Sequence, residues 1–188
     1  THVMQQRLYA GGWALRGSDL VIITLGTAWC YEHRELGGVV ANCHKQPSKL
    51  FNRRLLTVSE VVEALTNVVE SVNGRVLFTV SPVRHIGEGM DDNSLSKAIL
   101  RVAISEVCAA YDRGVDYFPS YEIMMDELRD YRFYAEDMAH PSKQAIDYVW
   151  ECFVEHCIDR EAQQFMMQWE KVARAIVHRP FRPSSEQY

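Results

Sequence analysis

Asp137 and His140 are the two residues of this sequence best equipped for chemistry. In Asp137-Met138-Ala139-His140 a carboxylate stands three residues before an imidazole, close enough to turn back and accept its Nδ1 proton. Such a contact fixes the tautomer and leaves Nε2 to take a proton from a nucleophile. The spacing alone is a weak signal, since a capping aspartate beside a surface histidine gives the same pattern. Arg84 and His85 follow an apolar run, where a guanidinium either grips a carboxylate or phosphate or pairs with Glu88, Asp91 or Asp92. Cys43-His44, with Cys30 and His33 nearby, offer thiolate and imidazole as zinc ligands, yet their spacing matches no compact zinc motif. Buried thiols and loop histidines are the commoner outcome, so neither a metal nor a cofactor is expected. Ser81 and Ser120 close apolar runs but sit in no Gly-x-Ser-x-Gly elbow, and Ser18 precedes its run, at the wrong edge of a sheet.

Stepwise punctuation of the chain shows what must position these groups. Residues 19–25 form an apolar, β-branched run closed by Gly26, as expected of a central parallel strand buried on both faces. Residues 26–52, rich in Gly, Asn and His, read as a long irregular loop. Thr57 and Glu60 have capping-box spacing, and Val61, Val62, Leu65, Val68, Val69 and Val72 recur at helical intervals until Asn73-Gly74. A second strand spans 75–80 and ends at Ser81-Pro82; a third spans 115–118 before Pro119. Between them Asn93 or Ser94 caps a helix whose inward residues read as Leu95, Ile99, Val102 and Val107.

After the Asp-x-x-His segment, Pro141 suits a first helical turn, with Ala145, Tyr148, Val149, Cys152, Phe153 and His156 on one face. Phe165, Trp169, Val172 and Ile176 make a second stripe. The charge run Asp126 to Arg132, interleaved with Tyr131, Phe133 and Tyr134, reads as a segment packed across the mouth of a site. Alternating strands and helices predict the α/β class, a parallel sheet flanked by helices in three layers, with long C-terminal helices. The expectation is a single domain over 1–178 and a flexible tail over 179–188, rich in Pro, Arg and Ser. In such sheets ligands bind beyond the C-terminal strand ends, which here carry Gly26, Thr27, Arg84 and His85, with His44, Asp137 and His140 in nearby loops.

The 188 residues carry 20 Lys plus Arg against 25 Asp plus Glu, a net charge of -5 that gives no general attraction to nucleic acid or anionic membranes. Apolar side chains make up 47%, enough for a core, but no run of them is long enough to cross a bilayer. Five scattered cysteines suit free thiols, so a cytoplasmic setting is expected, subject to any targeting signal upstream of Thr1.

Several segments together carry a family resemblance. Leu25-Gly26-Thr27-Ala28-Trp29, Asn42-Cys43-His44-Lys45, Ser81-Pro82-Val83-Arg84-His85, Ser96-Lys97-Ala98, and the stretch from Tyr117-Phe118-Pro119-Ser120-Tyr121-Glu122 to Tyr134 resemble the GSCFA domain family over about residues 19–153. Gly-Thr after one strand, Ser-Pro after the next and Asp-x-x-His-Pro before the last helix are also similar to the later blocks of SGNH (GDSL-like) hydrolases. The resemblance implies an SGNH, flavodoxin-like fold and a bacterial ester hydrolase or acyl transferase acting on an acylated small molecule or glycan. It implies His140 as base and acid, Asp137 as its partner, and Gly26, Thr27, Asn42, His44, Arg84 and His85 as oxyanion or substrate-binding candidates. Two departures stand out. The Gly-Ser-Cys-Phe-Ala motif with its nucleophilic serine is absent, which implies that the first strands lie upstream and that this chain is inactive alone. The asparagine of the SGNH Gly-x-Asn-Asp block is also missing after Gly26, with Asn42 as the candidate replacement. The alternative is a non-catalytic binding or accessory domain that keeps the fold.

Overall fold

A computed structural model describes residues 2–41, 43 and 45–177. The chain gathers into two compact units, Thr1–Ala145 and Ile146–Tyr188. In the first, the elements in order are α1 (His2–Arg16), β1 (Leu20–Leu25), β2 (Trp29–His33), β3 (Val39–Val40), β4 (Phe51–Leu55), α2 (Val58–Ser71), β5 (Arg75–Val80), α3 (Met90–Ala110), β6 (Val115–Phe118) and α4 (Ser120–Glu122). Helix α5 (Lys143–Cys157) begins there and continues into the second unit, which also holds α6 (Arg160–Val177).

The α/β expectation holds: β1, β5 and β6 form a parallel sheet in the order β1-β5-β6, flanked by helices. Its best-covered face is lined by Val76, Phe78 and Val80 of β5 and Val115 of β6, packed with Val61 and Leu65 of α2 and Leu100, Ala103, Ile104 and Val107 of α3. Helix α2 starts as its sequence indicates: the Thr57 hydroxyl accepts from the Glu60 N–H and Glu60 returns a carboxylate oxygen to the Thr57 N–H.

Three expectations are corrected. Strand β1 lies at an edge, with β5 in the centre, and no described strand pairs its outer side. Ile23 and Leu25 pack on the core, whereas Leu20 and Ile22 are about half exposed, at 47% and 50%. An apolar run reports affinity for a covered face but not how many faces are covered, so it did not distinguish an edge from a centre.

The stretch 26–52 is not irregular: it holds β2, β3 and the start of β4, which form a second, antiparallel sheet in the order β3-β2-β4. Gly37 and Gly38, at φ 66° and 91°, supply the left-handed turn between β2 and β3 that side chains resist. The third correction concerns α3, which starts at Met90, so that Asn93 lies inside it rather than at its cap. Its buried stripe is Asn93, Ser96, Lys97, Leu100, Ala103, Ile104 and Val107, while Leu95 and Val102 face solvent. Val107 is buried and Ile99 packs on the core as expected, whereas apolar residues alone do not mark the first turns, which bury polar side chains.

Helix α1 was not marked by any strong apolar periodicity, and its Tyr9 and Trp13 are exposed. In the second unit Asp159 caps α6 through the Ala162 N–H, and Gln163 donates to the carbonyls of Val154 and Ile158. Within α5, Ala145 is buried as expected, but Tyr148 and His156 are exposed, as are Phe165, Trp169, Val172 and Ile176 of α6. The tail expected to be flexible lies outside the described residues.

Gly74 shows how tightly β5 enters beside β1. A Cβ there would sit 2.1 Å from the Ser18 carbonyl oxygen and 2.6 Å from that of Asp19, and the neighbouring Arg75 N–H donates to the Asp19 carbonyl at 2.9 Å. Because the obstacle is backbone rather than a side-chain tip, Gly74→Ala is expected to destabilise the protein by about 1–3 kcal/mol. Urea denaturation of the variant beside wild type measures this, and an unchanged midpoint would contradict the packing described.

Candidate functional site

Asp137 and His140 sit in a turn that closes a short hairpin. Tyr134 and Pro141 face each other as an antiparallel bridge, flanked by hydrogen bonds from the Ala135 N–H to the His140 carbonyl (2.8 Å) and from the Ser142 N–H to the Phe133 carbonyl (2.7 Å). The pair between those bonds exchanges none of its own, so a proline costs nothing at that position. Pro141 is therefore in the bridge and not in the first helical turn, and α5 begins two residues later with the Ser142 hydroxyl accepting from the Ala145 N–H. Phe133 and Tyr134 anchor the hairpin in a small core with Met124 and Ala145.

Within the turn, Met138 takes a left-handed backbone conformation, φ 58°. That brings the N–H groups of Ala139 and His140 onto one oxygen of Asp137, each at 2.9 Å. The other oxygen meets His140 Nδ1 at 2.6 Å. Donation from the His140 N–H, then the Ala139 N–H, then the imidazole lowers the Asp137 pKa to about 2. The carboxylate is thus ionised and committed to its own turn. The His140 side chain is exposed and its Nε2 has no protein partner among the described residues.

The turn lies at the C-terminal edge of the parallel sheet, because the Arg84 N–H, just past β5, donates to the Ala139 carbonyl at 3.1 Å. The Arg84 guanidinium donates to the Met138 carbonyl at 3.3 Å and rests over the Tyr134 ring, 3.8 Å from its centroid. Of its expected acidic partners, the Glu88 side chain lies outside the described ones and Asp92 pairs with Arg53 at 3.5 Å; among the described residues no carboxylate forms an ion pair with Arg84. The run from Asp126 to Tyr134 does not form one solvated face. Residues Ile123–Leu128 make a π-helical turn ended by Arg129 at φ 51°, and Tyr134 supplies the ring beneath Arg84.

Next to Arg84, His85 is fixed by its backbone N–H, which donates to the buried Asn93 side chain at 3.0 Å. Its ring lies against Gly26, where an added Cβ would be 3.4 Å from Nε2. Gly26 and His85 thus meet across the ends of β1 and β5. Thr27 is committed, its hydroxyl bonded to that of Ser96 at 2.9 Å and accepting from the Trp29 N–H at 3.1 Å. Asn42 and His44 lie outside the described residues.

Lys97 was quoted only as part of a motif, yet it is central to the site. It is 1% exposed, and its ammonium donates to the Gly26 carbonyl at 2.6 Å and the Ser81 carbonyl at 2.7 Å. It joins the exits of β1 and β5. Ser96, equally buried, donates or accepts at Thr27 and accepts from the Ala28 N–H at 2.7 Å. The spacing of 93, 96, 97 and 100, one helical face, is the signal that would have found Asn93, Ser96 and Lys97. Tyr121 lies near both cations, its ring centroid 5.9 Å from Lys97 Nζ, and burial pushes its hydroxyl pKa up.

The serines considered as nucleophiles are engaged. Ser120 is buried, shares a 2.6 Å hydrogen bond with Thr79 and donates to the Val80 carbonyl at 2.7 Å, while the Ser81 hydroxyl accepts from the Val83 N–H at 3.3 Å. Cys30 and His33 belong to the antiparallel sheet: Cys30 is buried, and His33 Nδ1 accepts from the Glu35 and Leu36 N–H groups at 3.3 and 3.2 Å. Among the described residues no three His, Cys, Asp or Glu side chains gather as a metal site would require.

The edge so assembled matches a known family over most of the chain: the GSCFA family model covers residues 1–153. The chain belongs to the GSCFA family. No curated protein matches it. Membership extends the resemblance seen from residue 19 back over residues 1–18, which hold α1, and supports a hydrolase-like domain. No helix among the described residues of this GSCFA protein is long and apolar enough to cross a membrane.

Two outcomes follow from this geometry. Lys97→Met keeps the stem but leaves two carbonyls without their donor, so stability should fall by about 2 kcal/mol; urea denaturation measures the loss, and amide NMR shifts should change at Gly26 and Ser81. Asp137 has a native pKa below its ordinary value of 3.8, so it binds more protons when unfolded between pH 3.8 and about 2. Its contribution is present above pH 3.8 and lost as pH falls through about 2. The stability gap between wild type and Asp137→Ala should therefore be constant above about pH 5 and close across that window; a carboxyl carbon titrating near 4 would contradict it.

Proposed function

We propose that this GSCFA chain supplies the acid–base half of an SGNH-type serine ester hydrolase or acyl transferase. The observation that carries the reading is the 2.6 Å contact between Asp137 and His140 Nδ1, made at the C-terminal edge of the sheet with Nε2 facing no partner among the described residues. In this reading Asp137 holds the tautomer and stabilises the imidazolium, and His140 Nε2 takes the proton of a serine hydroxyl. That hydroxyl attacks the ester carbonyl, and His140 then returns the proton to the leaving alcohol. Water completes hydrolysis of the acyl-enzyme, or a second alcohol completes transfer. Because Ser81 and Ser120 are engaged in internal hydrogen bonds, the nucleophile is assigned to polypeptide outside the 188 residues. The substrate class is an acylated small molecule or glycan.

The same engaged serines favour, as a second reading, a binding or accessory domain that retains the fold without the chemistry. The two part company on one assay. The protein from its full-length gene should cleave p-nitrophenyl acetate, and His140→Ala should reduce kcat/KM by about 10³-fold or more. Undiminished turnover in His140→Ala would remove the hydrolase reading, and an inactive but ligand-binding wild type would favour the accessory role.

A further inference from the structure

We propose that Arg84 recognises an anionic group on the substrate, so that the ester bound at this edge carries a carboxylate or a phosphate. The inference rests on the hydrolase reading for the word ester, but the anion site stands on its own geometry. Among the described arginines, Arg53, Arg54, Arg75, Arg101 and Arg174 pair with carboxylates. Arg84 does not, although the ionised Asp137 is a neighbour in the same turn. Asp137 is engaged by two N–H groups and His140, and no ion pair joins it to the guanidinium.

What holds Arg84 is neutral. Its own N–H binds the Ala139 carbonyl, one guanidinium nitrogen binds the Met138 carbonyl, and the Tyr134 ring supports the group at 3.8 Å, with Tyr131 further out at 5.8 Å. A guanidinium has five N–H donors around its rim, and the carbonyl occupies few of them. Seated on a ring, it is oriented without being neutralised, an arrangement suited to bidentate binding of a planar carboxylate or a phosphate. Beside it, neither ring nitrogen of His85 has a partner among the described residues, which offers a further donor to the same group. The backbone link to Ala139 places this cation next to His140, so an anion held by Arg84 would set an ester's reacting carbonyl within the reach of Nε2.

Monomethyl succinate, methyl phosphate and the uncharged dimethyl succinate separate the possibilities when titrated onto the 188-residue chain, read by amide shifts of Ala139 and His140. At least one anion should bind about tenfold or more tightly than dimethyl succinate, the ratio expected of one charge-assisted pair. Whichever anion is preferred identifies the carboxylate or the phosphate as the recognised group. Arg84→Gln retains an amide for the Met138 carbonyl and should abolish the preference, while Arg84→Lys, which keeps charge but not the planar fork, should retain part of it. Equal binding of all three probes, or a preference surviving in Arg84→Gln, overturns the proposal. The anion preference is measured without turnover, so it fails or stands independently of ester cleavage lost in His140→Ala.

Discussion

The ammonium of Lys97 is buried at the point where β1 and β5 end, and the rest of the site is arranged around that constraint. A desolvated cation is tolerated only where oxygen atoms replace its hydration, and the Gly26 and Ser81 carbonyls do so at 2.6 and 2.7 Å. Those carbonyls belong to the two strand-exit loops, so satisfying the charge also fixes the separation of the loops. Ser96 and Asn93 extend the effect one turn at a time, Ser96 to Thr27 and Ala28, Asn93 to His85. The first turns of α3 thus act as a polar clamp, while its later turns, Leu100 to Val107, make the apolar contact with the sheet.

The Asp137–His140 turn is supported differently. It is exposed, so low dielectric does little for it, and its order comes from local hydrogen bonds and a buried base. Phe133 and Tyr134 anchor one arm in the small core, Pro141 and Ser142 lead the other into α5, and the left-handed Met138 turns the chain between them. A single backbone bond, Arg84 to Ala139, ties this hairpin to the exit of β5. The result is an imidazole presented to solvent, with a cation alongside that pairs with no carboxylate among the described residues. Membership of the GSCFA family is consistent with chemistry at this edge, while the reaction itself is argued from these side chains and not from the fold.

Much of this was legible in advance. The three parallel strands, the Thr57–Glu60 cap and the Asp-x-x-His pair are local patterns: a β-branched run, a four-residue box and a three-residue spacing each specify their own geometry. The antiparallel sheet of β2, β3 and β4 was harder to see, because its strands are short and one is only Val39–Val40, too brief for alternation to register. Ile99 and Val107 mark part of the inward face of α3, but Asn93, Ser96 and Lys97, buried where they serve other loops, carry no apolar signal for the rest of it.

The sequence by itself determined the α/β class, the positions of the three parallel strands and the Asp137–His140 contact, since each depends on residues a few positions apart. Only the tertiary structure decided that β1 lies at an edge, that Lys97 joins Gly26 to Ser81 across 71 and 16 positions of chain, and that Arg84 meets Met138 54 positions away. Such pairings arise when sheet order and helix packing bring distant loops to one rim. The free energy that selects them belongs to the desolvated groups of several segments together, and no single segment displays it.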